Sequence, residues 1–251
     1  MRRPGSAAFA RAAPPMPLRL AFLLLLAAAP ATAAPSFDCA KARRTDEKAI
    51  CADPALAALD LAVDRSYRRA RERLRDAGAQ KALRDAQRDM ITGRAFAADH
   101  PNGAGLKDYL AGWRDALDRI AAPPPGHTGG WANMTVIVDV RPRPDGRFAV
   151  KVDGSDPIIG AWRCEYNGIG ETRGGRLVVA WNREEDGEDG ADGWLLHLAR
   201  QGALLTIEEV KGPDAVEHRP YCGHRGFLSG TYFPADATAF PGSRERGPDR
   251  P

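Results

Sequence analysis

Leu56, Leu59, Val63, Tyr67, Ala70 and Leu74 follow one another at spacings of 3, 4, 4, 3 and 4, which puts them on one stripe of an α-helix. The opposite face carries Asp64, Arg65, Arg68, Arg69, Arg71, Glu72 and Arg75 and reads as solvated. A second helix turns Leu83, Ala86, Met90 and Ile91 inward, and a third carries Leu106, Leu110, Trp113, Leu117 and Ile120. Thr45 before Asp46 and Glu47 has the residue order of an N-cap. Asp53-Pro54 is a second start, and Gly78 is expected to end the long helix. The turn-rich run from Asp99 to Gly105 separates the last two helices. These elements predict a small antiparallel bundle over residues 34–121.

The period then changes from 3.6 to 2. The Pro- and Gly-rich stretch AAPPPGHTGG excludes helix and strand and marks a linker over residues 122–133. Met134, Val136, Val138 and Val140 alternate with polar or outward positions, and Phe148, Val150 and Val152 repeat the alternation after the turn Pro144-Asp145-Gly146. Strands follow around Trp162–Tyr166, Leu177–Trp181, Trp194–Leu198, Leu205–Ile207 and Phe227–Phe233. Seven short strands predict a meander over residues 134–233, and residues 234–251 read as a disordered tail. The expected fold class is therefore α+β: a small disulfide-tied antiparallel helical bundle followed by a separate antiparallel β meander, as a sandwich or small barrel.

The first 33 residues read as a signal peptide. Arg2, Arg3, Arg11 and Arg19 precede the apolar run LAFLLLLAAA, and Ala31-Thr32-Ala33 offers a cleavage site, with Met16 as an alternative start. The apolar run is shorter than the roughly 20 residues that span a bilayer. The chain is thus expected to be periplasmic or secreted, with no stable membrane anchor after cleavage. The full chain has a formal net charge of +3. Without the four leader arginines it holds 32 basic against 33 acidic residues, a net of −1, which argues against a nucleic-acid partner.

Four cysteines suit an oxidising compartment and allow three pairings. Proximity favours Cys39–Cys51 and leaves Cys164–Cys222. On the chain-entropy account the two bonds stabilise by roughly 3 and 4 kcal/mol. A competing arrangement would gather Cys164, His218, Cys222 and His224 around zinc, but His-x-x-x-Cys-x-His is not a usual zinc spacing.

The order S-F-D-C-A-K-A from Ser36 to Ala42, E-K-A-I-C-A-D-P-A-L-A-A-L-D from Glu47 to Asp60, and then Tyr67, resembles the N-terminal domain of the LprI-type lysozyme-inhibitor family. Ala86-Gln87-Arg88 and Arg94 are similar to that family's later segment. The resemblance covers about residues 36–120. It implies an exported, helical, disulfide-bonded domain linked to inhibition of lysozymes. The chain departs from the pattern in lacking a Trp near Met90 and a cysteine pair near Ala97 and Gly105.

Glu184, Glu185, Asp186, Glu188, Asp189 and Asp192 put six carboxylates into nine residues. The run reads as a solvated hairpin loop, as a calcium loop with the wrong spacing for an EF-hand, or as a recognition loop for a basic protein. The third reading names a candidate partner, a basic lysozyme-like protein, steered by charge. Gly168-Ile169-Gly170 is one glycine short of a dinucleotide motif, and no hydrolase, metalloprotease or P-loop pattern occurs. A hydrolase using Glu165 and Glu171 is the one enzymatic alternative. The expectation is an exported binding protein, with no catalytic residue, metal or cofactor. The alternative is an envelope structural or interaction module that does not inhibit lysozyme.

Overall fold

The structure is a computed structural model that describes residues 34–100, 105–181, 193–213 and 215–236. Four helices come first: α1 (Thr45–Ala52), α2 (Pro54–Arg73), α3 (Ala77–Asp99) and α4 (Gly105–Arg119), preceded by a 3-10 turn at Cys39–Lys41. Eight strands follow: β1 (Gly129–Ala132), β2 (Val136–Pro142), β3 (Phe148–Ser155), β4 (Arg163–Arg173), β5 (Arg176–Trp181), β6 (Trp194–Gln201), β7 (Leu204–Lys211) and β8 (Gly230–Ala235). Each pairs antiparallel with its neighbours in the sequence. β8 also pairs with β1, so the sheet closes into an up-and-down barrel.

Closure needs one strand more than the hydrophobic alternation supplies. That strand is β1, which begins inside the stretch read as linker, and it is short enough to hide its period. β8 runs on to Ala235, into the residues read as tail. Arg200 explains why the proline run is held in place. Its guanidinium donates to the carbonyls of Pro124 at 2.9 Å and Gly126 at 2.5 Å, and lies 4.6 Å over the Trp131 ring.

The barrel interior is filled by side chains, as eight strands allow. Trp131, Val138, Val150, Tyr166, Leu196 and Tyr232 are among its buried residues. On β4 the inward positions Gly168 and Gly170 carry no side chain because Val179 and Leu177 occupy that space. A Cβ at Gly168 would meet Val179 Cγ1 at 2.5 Å and the Ala180 carbonyl at 2.7 Å. The segment between β7 and β8 folds back across the end where β4 and β6 begin, adding Ala215, Tyr221 and Leu228 to the core. There Glu165 N donates to Tyr221 O, Gly223 N to Arg163 O, and the Trp194 indole to Val216 O.

The expected separation into a bundle and an independent meander is incorrect. The helices share a second core with the outer wall of the barrel. Ile50, Leu83, Leu110 and Trp113 are buried together with Ala203 and Leu204 at the β6–β7 turn and Phe233 of β8. Tyr232 therefore points into the barrel while Phe233 points out beneath the helices, and residues 232–235 are buried without a break. Burying one such side chain stabilises by roughly 1.5–3 kcal/mol. The backbone joins the two parts as well: Ala121 N donates to Pro234 O at 2.9 Å and Asp236 N to Arg119 O at 3.0 Å. All described residues fall in one compact unit.

Within the helices, the deepest stripe of α2 is Ala57, Asp60, Val63, Ser66 and Ala70, with Leu56, Leu59 and Tyr67 only partly buried. Small residues face inward because α2 and α4 pack closely and because Asp60 has an ionic partner in the core. Arg44, not Thr45, is the N-cap of α1, and the Glu47 carboxylate accepts from the amides of Arg43 and Arg44. Asp53 caps α2 as expected, with Pro54 in the first turn. The long helix ends at Arg73, and Gly78 lies in the first turn of α3, which Asp76 caps.

Two glycine substitutions test this packing. Gly168→Ala should lower stability by roughly 1–3 kcal/mol through overpacking, read as a lower urea midpoint at unchanged slope. Gly112→Ala, on the exposed face of α4 with nothing within 4 Å of the new methyl, should raise it by up to about 1 kcal/mol.

Candidate functional site

Four residues that carry the resemblance, Ser36, Phe37, Asp60 and Arg94, meet in the helical core. Arg94 is 7% exposed and donates from Nε to Asp46 at 2.6 Å and from Nη1 to Asp60 at 2.9 Å. Asp46 also accepts from Arg44 Nε at 3.0 Å, and Arg44 reaches the Ile91 carbonyl at 2.7 Å. Ser36 donates its amide and its hydroxyl to the other oxygen of Asp60, and Phe37 places its ring 5.7 Å from the Arg94 guanidinium. The Cys39–Cys51 disulfide holds the entering chain against α1. Asp46, Asp60 and Arg94 are buried, Phe37 and Arg44 half-buried and Ser36 exposed at the edge, and together they tie the start of the chain to three helices. Its role is structural.

The candidate site lies where the helices meet the barrel. Ala82 and Ala86 on α3 and Ala116 on α4 are too small to close the seam against β1 and β8. They leave a groove of about 440 Å³, within the range of binding clefts. Leu83, Trp113 and Leu117 line it from the helices, and Ala132, Met134 and Phe233 from the barrel. The Trp113 indole nitrogen is satisfied by Gln87 Oε1 at 3.1 Å. Asp85 and Asp89 stand on the α3 side. Asp85 is bound by Lys81 and Arg88, and the Lys81 hydrogen bond holds its carboxyl below the usual carboxylate range. Asp89 is exposed and has no ion-pair partner among the described residues.

Phe227 lines the same groove and is 53% exposed. Its exposure is enforced by its neighbours. Glu209 on β7 accepts from the Ser229 amide at 3.0 Å and from its hydroxyl at 2.9 Å, and its own amide donates to that hydroxyl. The other Glu209 oxygen accepts from Tyr221 Oη at 2.8 Å and pairs with Arg219 at 2.9 Å. Burial first, and then the Glu209 charge, push the Tyr221 phenol up, so it stays a donor. The Cys164–Cys222 disulfide fixes the same segment to the start of β4. Trp162 packs 6.4 Å from the Phe227 ring. The result is an aromatic side chain held at the rim on a braced segment.

A larger cavity, about 660 Å³, lies beside Arg69, Arg73 and Arg75. Two of its arginines are already committed: Arg69 to the Asp118 carboxylate, Arg73 to the carbonyls of Asp118 and Ile120. It offers less free binding capacity than the groove.

Of the residues singled out in the sequence, Cys39, Cys51, Cys164 and Cys222 form the two expected disulfides. Bonded sulfurs rule out the zinc arrangement, and no three His, Cys, Asp or Glu among the described residues gather around a metal position. Glu165 and Glu171 are both outward on β4, six residues apart, about 20 Å by strand rise, too far for a hydrolytic pair. Glu184, Glu185, Asp186, Glu188, Asp189 and Asp192 lie outside the described residues. Phe227, read as the start of a strand, precedes β8 and stands free of the ladder. The repeat of Ala82 and Ala86 one helical turn apart was the available signal for the groove.

Arg94→Met strips Asp60 of its guanidinium and Asp46 of one of two, and should cost about 3–5 kcal/mol in denaturant unfolding. Asp118 gives a pH test. Burial raises its pKa, but the hydrogen bonds from Arg69 and Ser66 outweigh burial and hold it below 3.8. Its contribution to stability is complete above that value and is lost as the pH falls through the lower folded-state value. Asp118→Asn should therefore flatten the acid limb of the stability curve and leave its alkaline limb unchanged.

No helix among the described residues is long and apolar enough to cross a membrane. No protein-family model matches the chain, and neither the curated proteins nor the solved structures offer a match.

Proposed function

We propose that the chain is an exported binding protein, periplasmic or secreted, that acts by covering part of a partner protein and not by catalysis. The observation that carries this reading is the apolar groove with Phe227 braced at its rim. Aromatic side chains, Phe among them, are enriched at protein interfaces, and a few anchors that become fully desolvated in a partner's pocket carry most of the binding energy. The two disulfides support the exported half of the reading, since such bonds persist in oxidising compartments. The likeness of residues 36–120 to LprI-type lysozyme inhibitors makes a basic lysozyme-like protein the first partner to test, and the acidic run at 184–192 favours a basic partner on charge.

The test uses the chain from Ala34 onward. Binding to a panel of lysozymes is followed on a biosensor, and lysis of cell-wall substrate is followed in parallel. A lysozyme is expected to bind and lose activity. Phe227→Ala should weaken that complex at least ten-fold, through faster dissociation, without lowering the melting temperature. Binding without loss of lysis would move the chain to the second class, an envelope interaction module. Absence of binding to every lysozyme would remove the inhibitor reading.

A further inference from the structure

The backbone of β8 is open where it borders the groove, and hydrogen bonds fix which way each of its residues faces. Ala121 N donates to Pro234 O and Asp236 N to Arg119 O, so Pro234 and Asp236 turn their backbone groups away from β1. Along a strand this direction alternates, so Thr231, Phe233 and Ala235 turn theirs toward β1. Ala132 stands opposite Phe233, and Gly130 opposite Ala235. The place opposite Thr231 falls to Met134, but there β1 has already turned into β2. Asn133 N donates to Val136 O, and the Asn133 side-chain oxygen accepts from the amides of Thr135 and Val136. Among the described residues, the Thr231 N–H and C=O therefore have no partner. Gly230 and Thr231 both line the groove.

Side-chain parity and charge narrow what can occupy this place. Thr231 shares the outer face of β8 with Phe233, so a residue set opposite Thr231 puts its side chain on the groove floor beside Phe233. The charged side chains lining the groove are Asp85 and Asp89. Lys81 and Arg88 neutralise Asp85, whereas Asp89 is exposed with no ion-pair partner among the described residues. A helix laid in the groove satisfies its own backbone and would cover the Thr231 groups with apolar surface, and backbone groups buried without partners are costly. An extended segment brings an amide and a carbonyl to that point and takes up the ladder where β1 leaves it.

We propose that the groove takes an extended peptide segment of a partner protein, paired with Thr231 through one large apolar anchor residue. A Lys or Arg two positions from the anchor lies on the same face and meets Asp89. This mode of entry rests on the binding function proposed above and names the form in which the partner is gripped.

The test uses the chain from Ala34 onward and a displayed library of random short peptides. Selected peptides should share one aromatic or large aliphatic residue with Lys or Arg two positions away. A synthetic copy of the tightest one should shift the Thr231 amide resonance. N-methylating its anchor amide should weaken binding about ten-fold, whereas N-methylating the next amide, which points away from β8, should change it little. Asp89→Lys should weaken the peptide several-fold and remove the fall of its affinity with added salt. A library without binders, a Thr231 amide that does not move, or indifference to methylation at the anchor overturns the proposal. A peptide that binds Asp89→Lys equally well overturns the pairing with Asp89. If Phe227→Ala still weakens a lysozyme complex while the peptide results are negative, the extended mode alone is lost. If the peptides behave as expected and no lysozyme binds, the lysozyme reading alone is lost.

Discussion

The pairing of β1 with β8 is the constraint on which the other features rest. It closes the barrel, so that among the described residues every strand has a neighbour on both sides and the sheet has no free edge strand. It also sets Ala132 beside Phe233 on the outer wall. That patch is what the helices need, because their own inward residues are too small or too few to fill a core. The register brings Pro234 and Asp236 to the end of α4, where two backbone hydrogen bonds join helix to barrel. Were the ladder displaced by one residue, Tyr232 and Phe233 would exchange sides, and both cores would lose their largest local contributor.

The helical part is held by a different kind of force. Arg94, Asp46 and Asp60 are charged groups withdrawn from water, and their mutual attraction roughly offsets the loss of hydration. Such a knot contributes little net stability when intact, yet leaves unpaired buried charge when broken. It is therefore strict about geometry: the carboxylates must come from α1 and α2 and the guanidinium from α3. Ser36, Phe37, Asp60 and Arg94 are thus parts of a scaffold that sets how the helices cross.

Much of the fold could be read from residue spacing alone. Trp113, Leu117 and Ile120 at helical intervals faced the core as expected, and Val136, Val138 and Val140 faced the barrel interior. Both sulfur pairs followed from proximity. What escaped were the places where a residue answers to two neighbours at once. β1 contributes only four residues, too few to establish a period, and its glycines resemble a linker until Arg200 and β8 are in place. On α2 Val63 and Ala70 were buried as expected, but Ala57, Asp60 and Ser66 took the deepest places in front of Leu56, Leu59 and Tyr67, since an aspartate reads as surface unless its arginine is known. Ala203-Leu204-Leu205 and Tyr232–Ala235 are continuous apolar runs, and two-sided burial is what they signal. The groove was less legible still. It exists because three alanines are small, and the absence of volume leaves only a faint trace in a sequence, the repeat of Ala82 and Ala86 one helical turn apart.

The helices are made first and finished last. Their seam is filled by Leu204 and Phe233, which follow α4 by roughly eighty and more than a hundred residues. A growing chain thus displays the inner faces of α2, α3 and α4 for as long as the barrel is still being synthesised. Until then the helices are held by bonds among themselves, of which the early disulfide and the Arg94 knot come first: both are complete once Arg94 has emerged. The N-terminal third therefore carries its own temporary clasp, and any factor that shields nascent apolar surface has a defined target and a defined moment of release: the arrival of the eighth strand.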